Sequence, residues 1–279
     1  NLLIAADIAD DAKIEGYRRE LRLRDAIATT SFTADGVEHN REYFTSFGRG
    51  VLTARYATSA ATNYDISLSR PECATIKAWS NVPDKGLISI EGTLNSGSDK
   101  EGITYYGQLV VETDGIVSVD GDCLRVSDAT EVELYFQAKT SYNCHSPKYI
   151  VQHLMIEDGV HRELNDFDKL RDEHVETYRS LFDRVEIDLG EQRLDVPTDG
   201  RLEEYATTGD DTSLAALYAQ YGRYLLISST YHATLPPNLQ GIWASGTWTP
   251  WNGDMHLNIN QQMNHWPLEV GNLGELIEP

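Results

Sequence analysis

The sequence contains little cysteine, and it has no long hydrophobic run. Its three cysteines, Cys73, Cys123 and Cys144, are far apart, and none forms a CxxC or Cys/His pair at zinc-binding spacing. This pattern predicts isolated thiols, with one disulfide as the alternative in an exported protein. No apolar run approaches the roughly 20 residues that a membrane-spanning helix needs, so no membrane partner is expected.

Basic residues are also scarce. The chain has 44 acidic and 23 basic residues, which gives a formal net charge of −21. Such a surface repels the phosphates of nucleic acids, so no nucleic-acid partner is expected. The scarcity of lysine within this acidic excess is typical either of adaptation to high salt or of an ordinary acidic protein, and both interpretations stay open.

Several common catalytic motifs are absent from the sequence. It has no glycine-rich phosphate loop, no HExxH zinc motif and no GxSxG nucleophile elbow, and therefore no cofactor or metal ion is expected. The chain starts with NLLIAADIADD, without an initiator methionine or a signal segment, so we expect it to begin within a domain. This start indicates no compartment.

Residues 1–145 have the pattern of β-strands. The segment EVELYFQA, 131–138, alternates apolar and polar side chains with the period of a half-buried strand. Two Asp-Gly pairs, Asp114-Gly115 and Asp120-Gly121, favour tight turns, so residues 103–127 are predicted to form a meander. Together these features predict an antiparallel β-sandwich over 1–145.

The hydrophobic period changes to that of helices after about residue 160. Two helices are predicted, the first capped by Asn165 or Asp166 and the second by residues 211–213. The segment VEIDLG is predicted to form a short strand that ends at Gly190. Residues 146–210 are interpreted as a helical linker, and 211–279 as a third, helical region. The first predicted apolar face comprises Phe167, Leu170, His174, Tyr178, Leu181 and Phe182; the second comprises Leu214, Leu217, Tyr218, Tyr221, Leu225 and Leu226.

A tryptophan-bearing loop gives the first indication of chemistry. Trp243, Trp248 and Trp251 follow one another closely in a stretch rich in proline and glycine. Indole rings stack on the apolar faces of sugars, although a single tryptophan serves equally well to anchor a loop. Three of them on one loop that leads into an amide cluster favour a ligand pocket.

The amide cluster GDMHLNINQQMNHWP, residues 253–267, gives the second indication. Asn258 and Asn260 would diverge by about 200° on a helix, so they converge only on extended backbone or at a helix start. A helix is predicted from near Asp254 to just before Pro267. Asp254 and Glu269 are the nearby acids, but their spacing does not pair them as the two carboxylates of a glycosidase. The residues alone therefore indicate polyol binding, with the type of reaction open.

The segment LPPNLQGIWASGTWTPWNGDMHLNINQQMNHWPLEVGNLGEL closely resembles the signature of glycoside hydrolase family 95, whose members are mainly α-L-fucosidases with some α-L-galactosidases. Further segments resemble the family's amino-terminal β domain, linker and first barrel helix, so that nearly the whole chain is covered in order. The resemblance implies a β-super-sandwich over 1–145, a helical linker over 146–210, and the start of an (α/α)6 barrel over 211–279.

The resemblance also implies roles for individual residues. Asn258 and Asn260 would be catalytic, holding and polarising the water that inverts the anomeric carbon. An aspartate and a general-acid glutamate are expected from later barrel segments, beyond Pro279, so the chain alone is expected to be inactive. The substrate would be a fucosylated oligosaccharide or polysaccharide. The residues expected to bind it are His256, Asp254, Gln240, Trp243 and Trp251.

Three alternative hypotheses stay open. An α-L-galactosidase would accommodate a C6 hydroxyl where fucose has a methyl group. A protein that binds carbohydrate without catalysis would also use a β-sandwich and an aromatic loop, and a scaffold protein built on a degenerate barrel is a weaker third reading.

Overall fold

The structure is a computed structural model that describes residues 1–47, 49–70, 74–94, 102–143, 166–244, 246 and 249–277. Cys73, Cys144, Asn165 and Trp248 lie outside the described residues. The chain divides into two compact units. The first comprises Asn1–Arg22 and Ile27–His174, and the second comprises Leu23–Ala26 and Val175–Pro279.

The first unit is built on ten antiparallel strands. They are β1 Leu2–Ala6, β2 Ile14–Arg22, β3 Ile27–Ala34, β4 Val37–Thr45, β5 Leu52–Leu68, β6 Ala74–Val82, β7 Lys85–Thr93, β8 Thr104–Thr113, β9 Ile116–Asp120 and β10 Cys123–Thr140. Hydrogen bonding follows the order β2-β3-β4-β5-β10-β8-β7-β6, with β1 paired to β5 and β9 paired to β10. Consecutive strands joined by short turns explain most of these pairings.

The two longest strands, β5 and β10, each take part in two parts of the sheet. The first part of β10 pairs with β9, and the part after Glu131 pairs with β8. Between these parts the register with β5 shifts at Val126, Ala129 and Glu131, and Asp128 has a left-handed φ of 55°. Bulges of this kind bend a strand and increase its twist. The bends allow one hydrogen-bonded sheet to supply two packed layers.

The core of the first unit lies between those layers. Strand β9 contacts β6 and β7 without hydrogen-bonding to them. A Cβ added at Gly86 on β7 would lie 2.5 Å from Leu124 Cδ1 on β10, so the layers approach each other closely where β7 has no side chain. The buried core residues include Tyr64, Ile66, Ile88, Leu109, Val111, Leu124, Val126 and Leu134. The predicted antiparallel β-sandwich is confirmed.

The predicted meander over 103–127 is only partly correct. Asp120-Gly121 does form a hairpin turn between β9 and β10, and Gly121 has a φ of 64°. Asp114-Gly115 does not, because β8 pairs with β10 and β7 rather than with β9. The carboxylate of Asp114 instead accepts hydrogen bonds from the backbone N–H groups of Thr130 and Glu131, next to the bulge of β10. The pair therefore turns the chain from one layer to the other.

Helix α1, Phe167–Phe182, confirms the first predicted helix. All six residues of its predicted apolar face are buried. Asp166 Oδ1 accepts a hydrogen bond from the backbone N–H of Lys169 and thereby caps the helix. Asp166 is one of the two residues predicted as this cap. His174 is only 2% exposed, and its ring stacks on Phe44 at 5.0 Å. This histidine is a structural residue, as the pattern indicated.

The second unit continues with α2 Thr198–Thr208, α3 Thr212–Thr230, α4 Asn260–His265 and α5 Pro267–Val270, and with 3₁₀ turns at Pro250–Gly253 and Gly274–Ile277. Among the described residues, no helix has the length and apolar character needed to cross a membrane. The division into 1–145, 146–210 and 211–279 stays a prediction.

Two local predictions in this unit are wrong, and a third is only partly correct. VEIDLG forms no strand, since residues 185–190 have no ladder partner. The helix that was predicted to start near Asp254 is α4, and it starts at Asn260 instead. On α3 the predicted apolar face is only partly the buried one, because Leu214 and Leu226 are buried but Tyr218 is 78% exposed. Arg223, which the predicted face does not include, is 4% exposed. The predicted cap is correct, since the Asp211 carboxylate accepts from the backbone N–H of Leu214.

Candidate active site

Buried polar contacts join the two helices that precede the candidate site in the chain. Arg201 on α2 donates to both carboxylate oxygens of Asp211, at 2.9 and 3.0 Å, and to Ser213 Oγ at 2.8 Å. The hydrogen bonds that the Asp211 carboxylate accepts, first from Arg201 and then from Ser213 and the backbone N–H of Leu214, lower its pKa from 3.8 to about 2. The carboxylate also caps α3, so one charged pair fixes α2 to the start of α3.

The loop between α3 and α4 has unusual backbone geometry. Trp251, Asn252 and Gly253 have consecutive left-handed φ values of 49°, 57° and 63°, and His256 has a φ of 48°. Non-glycine residues in this conformation cost about 1–3 kcal/mol each and cluster at functional sites. The energetic cost is therefore concentrated in the segment that carries the H-x-N-x-N sequence, and this makes the segment a candidate site.

The two candidate catalytic asparagines lie at the transition from loop to helix. Asn258 is exposed in a turn, and Asn260 is half-buried as the first residue of α4. This backbone meets the condition under which both side chains can face one ligand, since only Asn260 is helical. That the two amides converge on one water molecule stays a prediction.

His256 and Asp254 lie just before these asparagines. The imidazole Nε2 of His256 is 3.9 Å from Asp254 Oδ2, and the Asp254 side chain is 62% exposed. The backbone carbonyl of His256 accepts from the N–H of Gln261 at 3.3 Å, which links the histidine to α4. The pair offers a carboxylate and an imidazole to a ligand that is rich in hydroxyl groups.

Gln240 lies in a tight turn that sequence analysis did not identify. Asn238 N donates to the carbonyl of Gly241, and Gly241 N donates to the carbonyl of Asn238. The side-chain Oδ1 of Asn238 accepts from the N–H of Gln240 at 2.7 Å, as in an Asx turn. The sequence N-x-x-G, with Gly241 at a φ of 73°, is the signal that could have revealed this turn.

The candidate sugar-stacking tryptophans are exposed. Trp243 is 44% exposed and Trp251 is 69% exposed, so neither ring is used mainly to fill the core. A Cβ at Gly241 would lie 2.6 Å from two carbons of the Trp243 ring, so the glycine allows that ring to fold back over the turn. Available indole faces suit stacking on a sugar.

Metal chemistry has no obvious set of ligands in the described part of the chain. No group of three or more histidine, cysteine, aspartate or glutamate side chains there could hold a metal ion. Cys123 is a free thiol. The chemistry available near the H-x-N-x-N segment is therefore that of amide, carboxylate, imidazole and indole groups.

Comparison with known families assigns both parts of the chain. Residues 166–279 match the glycosyl hydrolase family 95 catalytic domain, and residues 1–145 match the glycosyl hydrolase family 65 N-terminal domain. Residues 166–279 of the chain belong to the catalytic domain of glycoside hydrolase family 95. The matched catalytic region contains the whole H-x-N-x-N segment and the loop before it.

Individual relatives agree with this assignment. The chain is 29% identical over 292 residues to a probable alpha-fucosidase A of Aspergillus niger (strain ATCC MYA-4892 / CBS 513.88 / FGSC A1513), with 99% of this chain and 36% of the relative covered. It is 30% identical to alpha-L-fucosidase 2 of Arabidopsis thaliana, with 94% and 35% covered. The chain thus spans about a third of the length of these curated relatives.

One solved structure shows the same fold. It is a putative kojibiose phosphorylase from human microbiome, with a TM-score of 0.54 and 11% sequence identity, and the match covers 86% of this chain and 33% of that one. At this identity the similarity shows the arrangement of a β domain followed by helices, and it confirms the predicted fold class.

Proposed function

We propose that the full-length protein is an inverting α-L-fucosidase that releases terminal L-fucose from glycans or plant polysaccharides. The observation that carries this proposal is the H-x-N-x-N segment, His256 to Asn260, inside a region that matches the family 95 catalytic domain. The names of the relatives from Aspergillus niger and Arabidopsis thaliana support fucose as the sugar.

In this proposal the two asparagines take the place of a carboxylate that activates water. An inverting glycosidase needs a base on one face of the sugar and an acid on the other, with space for a water molecule between the base and the sugar. A neutral amide oxygen accepts a hydrogen bond from water but is a weak base. Asn258 and Asn260 therefore hold the water, and the later aspartate and glutamate implied by the family resemblance act as activator and general acid.

The remaining site residues bind the sugar. L-Fucose presents hydroxyl groups and one apolar methyl group at C6. His256, Asp254 and Gln240 supply donors and acceptors for the hydroxyl groups, whereas the exposed indoles of Trp243 and Trp251 offer apolar faces. The 3.9 Å separation between His256 Nε2 and Asp254 Oδ2 leaves both groups free to bind hydroxyl groups rather than only each other.

The proposal is tested with the full-length protein and two substrates that differ at C6. 2′-Fucosyllactose and the matching α-L-galactoside are incubated separately, and the released sugar is followed by ¹H NMR. We expect release of L-fucose at a higher kcat/KM than release of L-galactose, and the first product formed to be the β-anomer.

Each other outcome has a definite meaning. Faster release of L-galactose would identify an α-L-galactosidase, and an α-anomer as first product would contradict inversion. Binding of either sugar without turnover would identify a carbohydrate-binding protein, whereas neither binding nor turnover would contradict a carbohydrate function altogether.

A further inference from the structure

The third asparagine of the amide cluster, Asn264, has no role in the proposed reaction. It is half-buried on α4, one helical turn after Asn260. Side chains four residues apart lie on the same face of a helix. Asn264 is therefore on the face that carries the candidate catalytic amide.

The side-chain amide of Asn264 is bonded to the turn that carries Gln240. Its Nδ2 donates to the backbone carbonyl of Asn238 at 2.8 Å and approaches that of Pro237 at 3.5 Å. Both partners are carbonyl oxygens, which only accept, so the NH₂ group of Asn264 faces the turn. The carbonyl of Asn238 also accepts from Gly241 N, so it is shared between the turn and α4.

The same turn has a second attachment on the other side of the H-x-N-x-N segment. The backbone N–H of Leu239 donates to the carbonyl of Asp254 at 3.3 Å. Residues 237–241 are thus attached both to the segment before His256 and to the helix after Asn258. These two attachments flank the candidate catalytic residues, and a loop that is anchored only for stability would not require that placement.

We propose that Asn264 is a positioning residue that holds the Gln240 turn, and with it Trp243, against the helix face that carries Asn260. The inference rests on the proposed function, because it makes Asn264 responsible for where the sugar-binding groups lie relative to the water-holding amides. Asn264 touches neither sugar nor water in this account. Its loss therefore weakens substrate binding more than it slows the chemical step.

The test replaces the amide donor while keeping the size of the side chain. In the full-length protein, Asn264→Asp removes the NH₂ group and places a carboxylate against two carbonyl oxygens. We expect KM for 2′-fucosyllactose to rise about tenfold, the value of one good hydrogen bond, while kcat changes less than about threefold. Asn264→Gln, which keeps the donor on a longer arm, is expected to recover part of this loss.

A matched control separates positioning from general destabilisation. Asn63 is also half-buried and donates one side-chain bond, from Nδ2 to Asp7 Oδ2 at 3.3 Å, but it lies in the first unit. Asn63→Asp is expected to leave KM unchanged. In addition, the KM effect of Gln240→Ala is expected to shrink in the Asn264→Asp background, because the turn is already displaced. An equal KM rise in both Asn→Asp variants, or fully additive effects, would overturn the proposal.

Hydrogen–deuterium exchange gives a second readout that does not depend on activity. The N–H groups of Gln240 and Gly241 are bonded within the turn, so they are expected to exchange faster in Asn264→Asp and, if that variant does not fold, in Asn264→Ala. Unchanged exchange at both amides would refute the positioning role. If the wild type releases no fucose, the proposed function fails, and the exchange data still decide whether Asn264 holds the turn.

Discussion

Arg223 gives a demanding prediction about the second unit. Its side chain is buried and has no carboxylate partner among the hydrogen bonds described. The guanidinium donates instead to the carbonyls of Phe182 at 2.7 Å, Leu181 at 3.0 Å and Gly271 at 3.1 Å. The first two belong to the last turn of α1, where free carbonyls and the helix dipole favour a cation. Burial nevertheless lowers the pKa of the guanidinium.

The size of the effect follows from these bonds. Replacing Arg223 by Met removes donors from these three buried carbonyls, and each unpaired carbonyl costs about 1–3 kcal/mol. Part of this cost is offset, because a buried charge no longer has to be desolvated. We expect Arg223→Met to lower the free energy of unfolding of the second unit by about 3–5 kcal/mol. Arg223→Lys keeps the charge but loses the planar fork of the guanidinium. It is therefore expected to lower the free energy of unfolding by less than Arg223→Met does.

Urea unfolding followed by tryptophan fluorescence measures this effect, since four of the five tryptophans lie after residue 242. Arg193→Met is the matched control, because Arg193 pairs with Glu204 on the surface and its loss is expected to change little. If Arg223→Met and Arg193→Met unfolded at the same urea concentration, the carbonyl contacts of Arg223 would not stabilise the unit, and the argument would be refuted.

Two other predictions concern acid stability and layer packing. The pKa of Asp211 is about 2 in the folded state and 3.8 as its ordinary value, so the stability contributed by its pairing is present above pH 4 and is lost as the pH falls towards 2. Asp211→Asn is expected to flatten that decline in thermal melts. Gly86→Ala is expected to destabilise the first unit by about 1–3 kcal/mol through its clash with Leu124. By contrast, Gly222→Ala on α3 has open space and is expected to stabilise the chain by about 0.5–1 kcal/mol. Melts in which the two alanine variants behaved alike would contradict the packing argument.

The hydrophobic period in the sequence correctly predicted the elements that bury one apolar face against a neighbouring layer. On α1 the spacing from Phe167 to Phe182 follows the helical period, and every residue of that face is buried. Local side-chain chemistry also located the caps at Asp166 and Asp211 correctly. These features depend on residues a few positions apart, so the sequence contains the needed information.

Features that depend on distant partners were not predictable from the pattern. Asp114-Gly115 has the composition of a hairpin turn, but the bulge of β10 supplies the donors for the Asp114 carboxylate. Likewise, the helical period places Tyr218 on the apolar face of α3, but Tyr218 is exposed, whereas Arg223 is buried and donates to carbonyls from two other segments. Tertiary contacts override local preference in both cases.

The residues of the candidate site were predicted more from the family resemblance than from their own physical chemistry. The amides of Asn258 and Asn260 indicated a polar ligand, but no spacing rule assigns a water molecule to them. The attachment of the Gln240 turn to α4 could not be predicted, because its donor, Asn264, lies more than twenty residues later in the chain. The left-handed backbone conformation of Trp251 and His256 could not be predicted from the pattern either, since nothing in their side chains favours that conformation.

The central claim is that an amide pair holds the attacking water in place, and Asn260→Gly in the full-length protein tests it most directly. We expect its kcat/KM on 2′-fucosyllactose to fall at least about 100-fold, the usual effect of misplacing a reacting group such as the attacking water. Asn272→Gly is the matched control, because Asn272 is exposed with a φ of 53° that glycine adopts freely, and its activity is expected to equal that of the wild type. If folded Asn260→Gly kept more than about a third of the wild-type kcat/KM, the amide would not position the attacking water and the account would be wrong.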